Sequence, residues 1–156
     1  MAWMERLPEE LLRRASLRRS EHAWRMADIP AVIEASRAAG LLNIGGNLQI
    51  RLPTGKVWES WNFQVDTGKS VPAALPWDER VGQAAEVAQR DFALERDDDY
   101  LSEARAGGGA LLDEAVAAGL SVSDVIWFTW CAAEEGVSTE GAPSPLAGEG
   151  VGGADG

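Results

Sequence analysis

The clearest pattern along the chain is a strict alternation of apolar and polar residues on both sides of a short turn segment. Asn47-Leu48-Gln49-Ile50-Arg51-Leu52 alternates, Pro53-Thr54-Gly55-Lys56 carries turn chemistry, and Val57 to Val65 alternates again. This is the signature of an antiparallel hairpin. A turn centred on Thr54-Gly55 sets Leu52 opposite Val57, Ile50 opposite Glu59 and Leu48 opposite Trp61, with Phe63 and Val65 on the same apolar side. The other side then carries Arg51 opposite Trp58, Gln49 opposite Ser60 and Asn47 opposite Asn62, with Gln64 beyond. Because side chains alternate with a period of two, this pairing predicts one buried face and one wet face.

Helical spacing dominates elsewhere. Pro8 with Glu9 and Glu10 suits a helix start, and Leu7, Leu11, Leu12 and Ala15 form its apolar stripe. The stripe falters at Arg18 and Arg19, so the helix is expected to bend or restart near Ser20, with Ala23, Trp24 and Ala27 as the next apolar face. Asp28-Ile29-Pro30 predicts a helix over about 29–39 that buries Ile29, Val32, Ile33 and Ser36 and stops at Gly40. After a loop from Asp66 to Leu75, Pro76 opens a long helix with Trp77, Val81, Ala84, Ala85, Ala88 and Phe92 inward. Asp97-Asp98-Asp99 breaks it and caps a short helix through Ala104, Gly107-Gly108-Gly109 is a joint, and Leu111 to Val116 begins another short helix. The run Val125 to Cys131 has strand-like composition, yet Ser121 and Asp124 resemble a helix cap and Gly136 a stop, so it reads as a buried helix.

A lone hairpin is marginal in water, so helices must cover its apolar face. The expected class is α+β: a small antiparallel β-hairpin sheet (about 47–52 and 57–65) covered on one face by several helices. A single domain over 1–135 is expected, followed by a disordered Gly/Pro/Ala-rich tail at 136–156 that holds seven of the seventeen glycines.

Composition narrows the function class. The 156 residues fit one domain, and 46% hydrophobic with 25% charged residues is an ordinary globular balance. Residues 1–56 hold nine bases and six acids, whereas residues 57–156 hold five bases and nineteen acids, for a net charge of −11. An acidic surface repels phosphate backbones, so nucleic acid is a disfavoured partner. Three glutamates among the first ten residues deny a secretory leader, and the longest apolar run, Val125 to Ala133, is broken by Thr129. With about 20 apolar residues needed to span a bilayer, no membrane segment is expected. The single cysteine suits a reducing compartment, and the expected location is cytoplasmic.

Candidate chemistry is sparse. His22 stands alone in a charged stretch, and Cys131 lies in the most apolar run, where a reactive thiol is not expected. One histidine and one cysteine do not make a zinc site, and Asp97 to Asp99 lack the alternate spacing of a calcium loop. Gly45-Gly46 and Gly107 to Gly109 fit no phosphate-loop pattern and read as turn and hinge. No motif calls for a metal or cofactor. The arginines at 13, 14, 18 and 19 read as a solvated helix face, with docking on an acidic partner as the sharper option.

Tryptophan supplies the positive signal. Trp61, Trp77, Trp127 and Trp130 fall on apolar faces, whereas the hairpin register sets Trp58 beside Arg51 among Asn47, Gln49, Ser60 and Asn62. An indole with a guanidinium and amides has the composition of an interface. These six residues form the candidate binding surface. The expected function is a non-enzymatic acidic protein-interaction module, an adaptor or a neutraliser of a basic partner. The alternatives are a small-molecule binder or enzyme with a Trp/amide-lined cleft, or a homo-oligomer built on the free hairpin edge.

Overall fold

A computed structural model describes residues 3–136. In chain order the elements are α1 (Glu9–Arg14), β1 (Ser16–Arg18), β2 (Glu21–Trp24), α2 (Ile29–Ala38), β3 (Leu42–Arg51), β4 (Val57–Asp66), α3 (Trp77–Asp97), α4 (Tyr100–Ala117), β5 (Ile126–Thr129) and β6 (Cys131–Ala133). The strands form one antiparallel sheet in the order β1-β2-β5-β3-β4, with β6 pairing the first half of β3. The α+β class therefore holds, with a larger sheet than one hairpin. Of the tail expected at 136–156, everything from residue 137 lies outside the described residues.

The hairpin is present, but its register differs by one residue beside the turn. Gly55 N–H donates to the Leu52 carbonyl, and Leu52 N–H to that of Lys56, so the loop has three residues, Pro53 to Gly55. Pro53 suits the second position of a type I turn, and Gly55 takes the positive φ (101°) that follows it in such loops. A two-residue hairpin turn would have asked β-branched Thr54 for a positive φ. The longer loop pairs Arg51 with Val57, Ile50 with Trp58 and Gln49 with Glu59. Each side chain of β4 near the turn therefore changes face. A bulge after Glu59 then restores the expected alternation, pairing Asn47 with Gln64 and Gly46 with Val65. Phe63 and Val65 are buried as expected.

Two segments expected as helix are strands. Helix α1 ends at Ala15, and the chain turns through Arg19 (φ 58°) to form the β1–β2 hairpin. Local spacing there favoured a helix, but Ala23 and Trp24 pair with Thr129 and Phe128. The run Val125 to Cys131 supplies that partner: β5 enters between β2 and β3, with Leu48 opposite Phe128 and Ile50 opposite Ile126. Its β-branched and aromatic content suits such a central position. The Ser121–Asp124 capping box exists, but it closes only a 3₁₀ turn before β5.

The helices cover one face of the sheet. Leu48, Ile50, Leu52, Ile126 and Phe128 of that face are buried with the expected α2 stripe and with Val81, Ala84, Ala85, Ala88 and Phe92 of α3, whereas Trp77, expected inward, is half-buried at the helix start with its Nε1 donating to the Gly40 carbonyl. Phe92 of α3 meets Phe128 edge-on at 5.1 Å between ring centroids. Helix α4 covers the stretch where two short helices and a joint were expected, and the joint is present: two helical segments meet in a kink at Gly108, whose backbone is not helical (φ −114°, ψ 24°). Gly45 and Gly46 lie inside β3 instead of forming a turn, and a Cβ on either would fall within 2 Å of the Val65 or Thr129 carbonyl oxygen. That closeness requires glycine. Among the described residues no helix is long and apolar enough to cross a membrane.

Candidate functional site

The six candidate residues separate into three places. Trp58 does not stand on the polar face opposite Arg51. Paired with Ile50, it is half-buried under α4, where Cβ atoms on Gly107 and Gly108 would fall 2.3 Å and 3.0 Å from the indole. The one-residue change of register is the physical reason.

Asn47, Gln49 and Arg51 do share the helix-free face of β3, but they are buried there. The side chains of Gln49 and Arg51 reach across β5 to the β1–β2 hairpin, whereas Asn47 bonds to β4 and β5. Arg51 Nε donates to Gln49 Oε1 at 2.8 Å, and its Nη1 donates to the Ser16 carbonyl at 2.8 Å and to Ser16 Oγ at 3.2 Å. The Glu21 carboxylate lies 3.8 Å from the guanidinium. Gln49 Nε2 donates to Glu21 Oε1 and to Glu59 Oε1, each at 3.2 Å. Asn47 Nδ2 donates to Glu59 Oε1 at 3.0 Å and to the Ser60 carbonyl at 3.3 Å, while its Oδ1 accepts from Thr129 Oγ1 at 2.7 Å. Both amides are thereby fully matched. Burial brings Arg51 down to about 10, opposed by Glu21 and Glu59 and assisted by Arg18, so it stays charged at neutral pH.

Ser60 and Asn62 meet at the β4 bulge. Ser60 Oγ accepts from the backbone N–H groups of Asn62 (3.1 Å) and Phe63 (3.0 Å), which closes the bulge. Ser60 Oγ also donates to Glu103 Oε2 at 3.0 Å, and Asn62 Nδ2 donates to the same oxygen at 3.2 Å. Glu103 belongs to the first turn of α4, whose N-cap is Asp99. Between its two anchored neighbours Trp61 is turned out to solvent, 43% exposed, instead of packing in the core as expected. The exposed indole is thus Trp61, not Trp58. Pro53 was the sequence signal that could have exchanged them, because it favours the three-residue loop.

The bulge adjoins an acidic corner. Residues 91–103 carry Asp91, Glu95, Asp97, Asp98, Asp99 and Glu103 against the single guanidinium of Arg96. Leu94 (65%) and Leu101 (47%) are exposed on the same stretch. Burial pushes the Glu95 carboxyl up, and Asp98 and Asp91 add to the shift against an opposing backbone N–H from Gln64.

The remaining chemistry is quiet. His22 lies on β2, stacked near Trp24, and is held below its ordinary value by burial and then by the Arg51 charge. Cys131 is pushed up to about 11 by burial and then by Glu21, so it is a thiol at neutral pH. Among the described residues no group of three or more His, Cys, Asp or Glu is placed to hold a metal ion. Of the four N-terminal arginines, Arg13 and Arg14 pair with Glu9 and Glu10, and Arg18 donates to the Leu52 carbonyl. An open depression of about 530 Å³ between α2 and α3 is lined by Glu34, Arg37, Gly82, Ala85, Glu86 and Gln89 and touches none of the candidate residues. No family model, curated protein or solved structure matches this chain.

Proposed function

We propose that the chain is a non-enzymatic, acidic protein-interaction module that docks a basic segment of a partner protein on the corner of the β4 bulge, the end of α3 and the start of α4. The observation that carries this reading is Trp61, an exposed indole whose two neighbours are both hydrogen-bonded to Glu103 at the edge of a strongly acidic surface. Aromatic anchors in a charged rim dominate many interfaces. The carboxylates speed encounter with a cationic partner and repel nucleic acid. An adaptor and a neutraliser of a basic protein would both use this surface, and a cytoplasmic setting accords with the single thiol.

The alternative, a small-molecule site among the amides of Asn47 and Gln49, has less support. Each of their polar groups is already matched inside the protein. A ligand would have to break one hydrogen bond for each it made.

Calorimetric titration with a short peptide rich in Arg and Lys tests the reading, alongside an acidic peptide of the same length. Saturable binding of the basic peptide alone is expected, weakening as salt rises from about 20 to about 300 mM. Asp97→Asn with Asp98→Asn should weaken it several-fold. Absence of saturable binding, or indifference to the double variant, would contradict the reading.

A further inference from the structure

The two halves of α4 are held to the sheet very differently. The second half buries Leu112 and Ala115, with Leu111 packed against the same core. In residues 100–107 only Ala104 is fully buried and Tyr100 partly so, while Leu101, Ser102, Arg105, Ala106 and Gly107 are exposed. Non-helical backbone flanks this segment at both ends: Asp98 (φ −79°, ψ 171°) and Asp99 (φ −85°, ψ 73°) before it, Gly108 (φ −114°, ψ 24°) after it. Among the described residues, its only side-chain hydrogen bonds to the sheet are those that Glu103 Oε2 accepts from Ser60 Oγ and Asn62 Nδ2. Its other charged side chain, Arg105, pairs with Asp113 of α4 itself.

We propose that residues 100–107 form a strap that detaches from β4 as a unit, pivoting at the Asp98–Asp99 link and at Gly108, with the Glu103 carboxylate as its catch. Hinges are a few residues at element ends that absorb the φ/ψ change, and glycine does so with the least steric hindrance. One buried alanine and a partly buried tyrosine hold the strap weakly, so the two hydrogen bonds to the carboxylate decide whether it stays down. A helix of so few residues is unstable in water without a packing partner, so the strap melts as it lifts. Its departure uncovers the Trp58 indole beneath Gly107 and frees the Ser60 hydroxyl. Leu112 and Ala115 keep the second half of α4 in place. Regions that open locally in this way are those with few buried apolar contacts.

Native-state hydrogen exchange on the full chain tests the strap, with wild type compared to Asn62→Ala and Glu103→Ala. Asn62→Ala removes one bond of the catch from an exposed position on β4 and leaves the sequence of the strap untouched. The amides of residues 104–107 should share one protection factor, about ten-fold or more below those of residues 112–117. Asn62→Ala should speed exchange at 104–107 by about three- to ten-fold, and Glu103→Ala by more, with 112–117 unchanged in both. Equal protection in the two halves, or a graded loss of protection from residue 107 back to residue 104 as in simple end fraying, would overturn the proposal. So would exchange at 104–107 that ignores Asn62→Ala, or a variant that speeds all of α4 alike.

Discussion

Trp58 lies directly beneath Gly107: a Cβ on that glycine would sit 2.3 Å from the indole Cζ2, and one on Gly108 would sit 2.4 Å from Ile50 Cδ1. Helix α4 approaches the sheet this closely only because those side chains are absent. Alanine normally stabilises a helix interior by about 1 kcal/mol over glycine. At these two positions overpacking of about 1–3 kcal/mol should reverse the sign. Gly107→Ala and Gly108→Ala are therefore expected to lower the urea midpoint. Gly109→Ala and Gly82→Ala should raise it, because their nearest contact is at 3.8 Å or absent within 4 Å.

Arg51 is expected to behave as a structural cation. Arg51→Met fills similar volume but strands Gln49 Oε1 and the Ser16 carbonyl and leaves the Glu21 carboxylate without its neighbour. Because Glu21 is 42% exposed, the main loss is the stranded acceptors, at about 1–3 kcal/mol each. Chemical denaturation should show a loss of that order. A change under 1 kcal/mol would mean the row on β3 does not hold the β1–β2 hairpin.

His22 sets a pH dependence whose sign follows from its lowered value. The unfolded chain takes up the proton near pH 6.5 and the folded chain resists it. The stabilising contribution is therefore complete above about pH 6.5 and is lost as pH falls through the lower folded value. His22→Asn should flatten the stability profile between pH 7.5 and pH 5 in unfolding experiments run across that range.

Glu95 works in the opposite sense. Its carboxyl is pushed up, first by burial, so its favourable contribution exists at low pH and is lost as pH rises through the folded value. Glu95→Gln is expected to raise the melting temperature at pH 7, with the advantage over wild type shrinking toward pH 4. A neutral-pH variant less stable than wild type would contradict this.

What was legible in the chain was local. Pro30 and Pro76 mark the starts of α2 and α3 because proline's fixed φ acts within one turn, although the Asp28 carboxylate takes Arg14 instead of capping α2, and the alternation on either side of Pro53 marked β3 and β4. What was not legible depended on distant partners. Ala23 and Trp24 become strand only because Phe128 and Thr129 pair with them. The candidate site was found in part. Asn47, Gln49 and Arg51 do share a face, but neighbours that cannot be read from their own spacing, Ser16, Glu21 and Glu59, bury and saturate them. A single residue of hairpin register sent Trp58 under α4, and a bulge closed by Ser60 sent Trp61 outward.

The most direct measurement is a proton–nitrogen spectrum of the indole N–H groups during titration with an arginine-rich peptide, with the Trp61 signal assigned from Trp61→Phe. The Trp61 resonance should move saturably and more than any other, while those of buried Trp24 and Trp130, hydrogen-bonded to Leu11 and Asn43, stay in place. A Trp61 resonance that does not move while the peptide binds, or shifts centred on Trp77 or Trp127, would contradict docking at the β4 bulge.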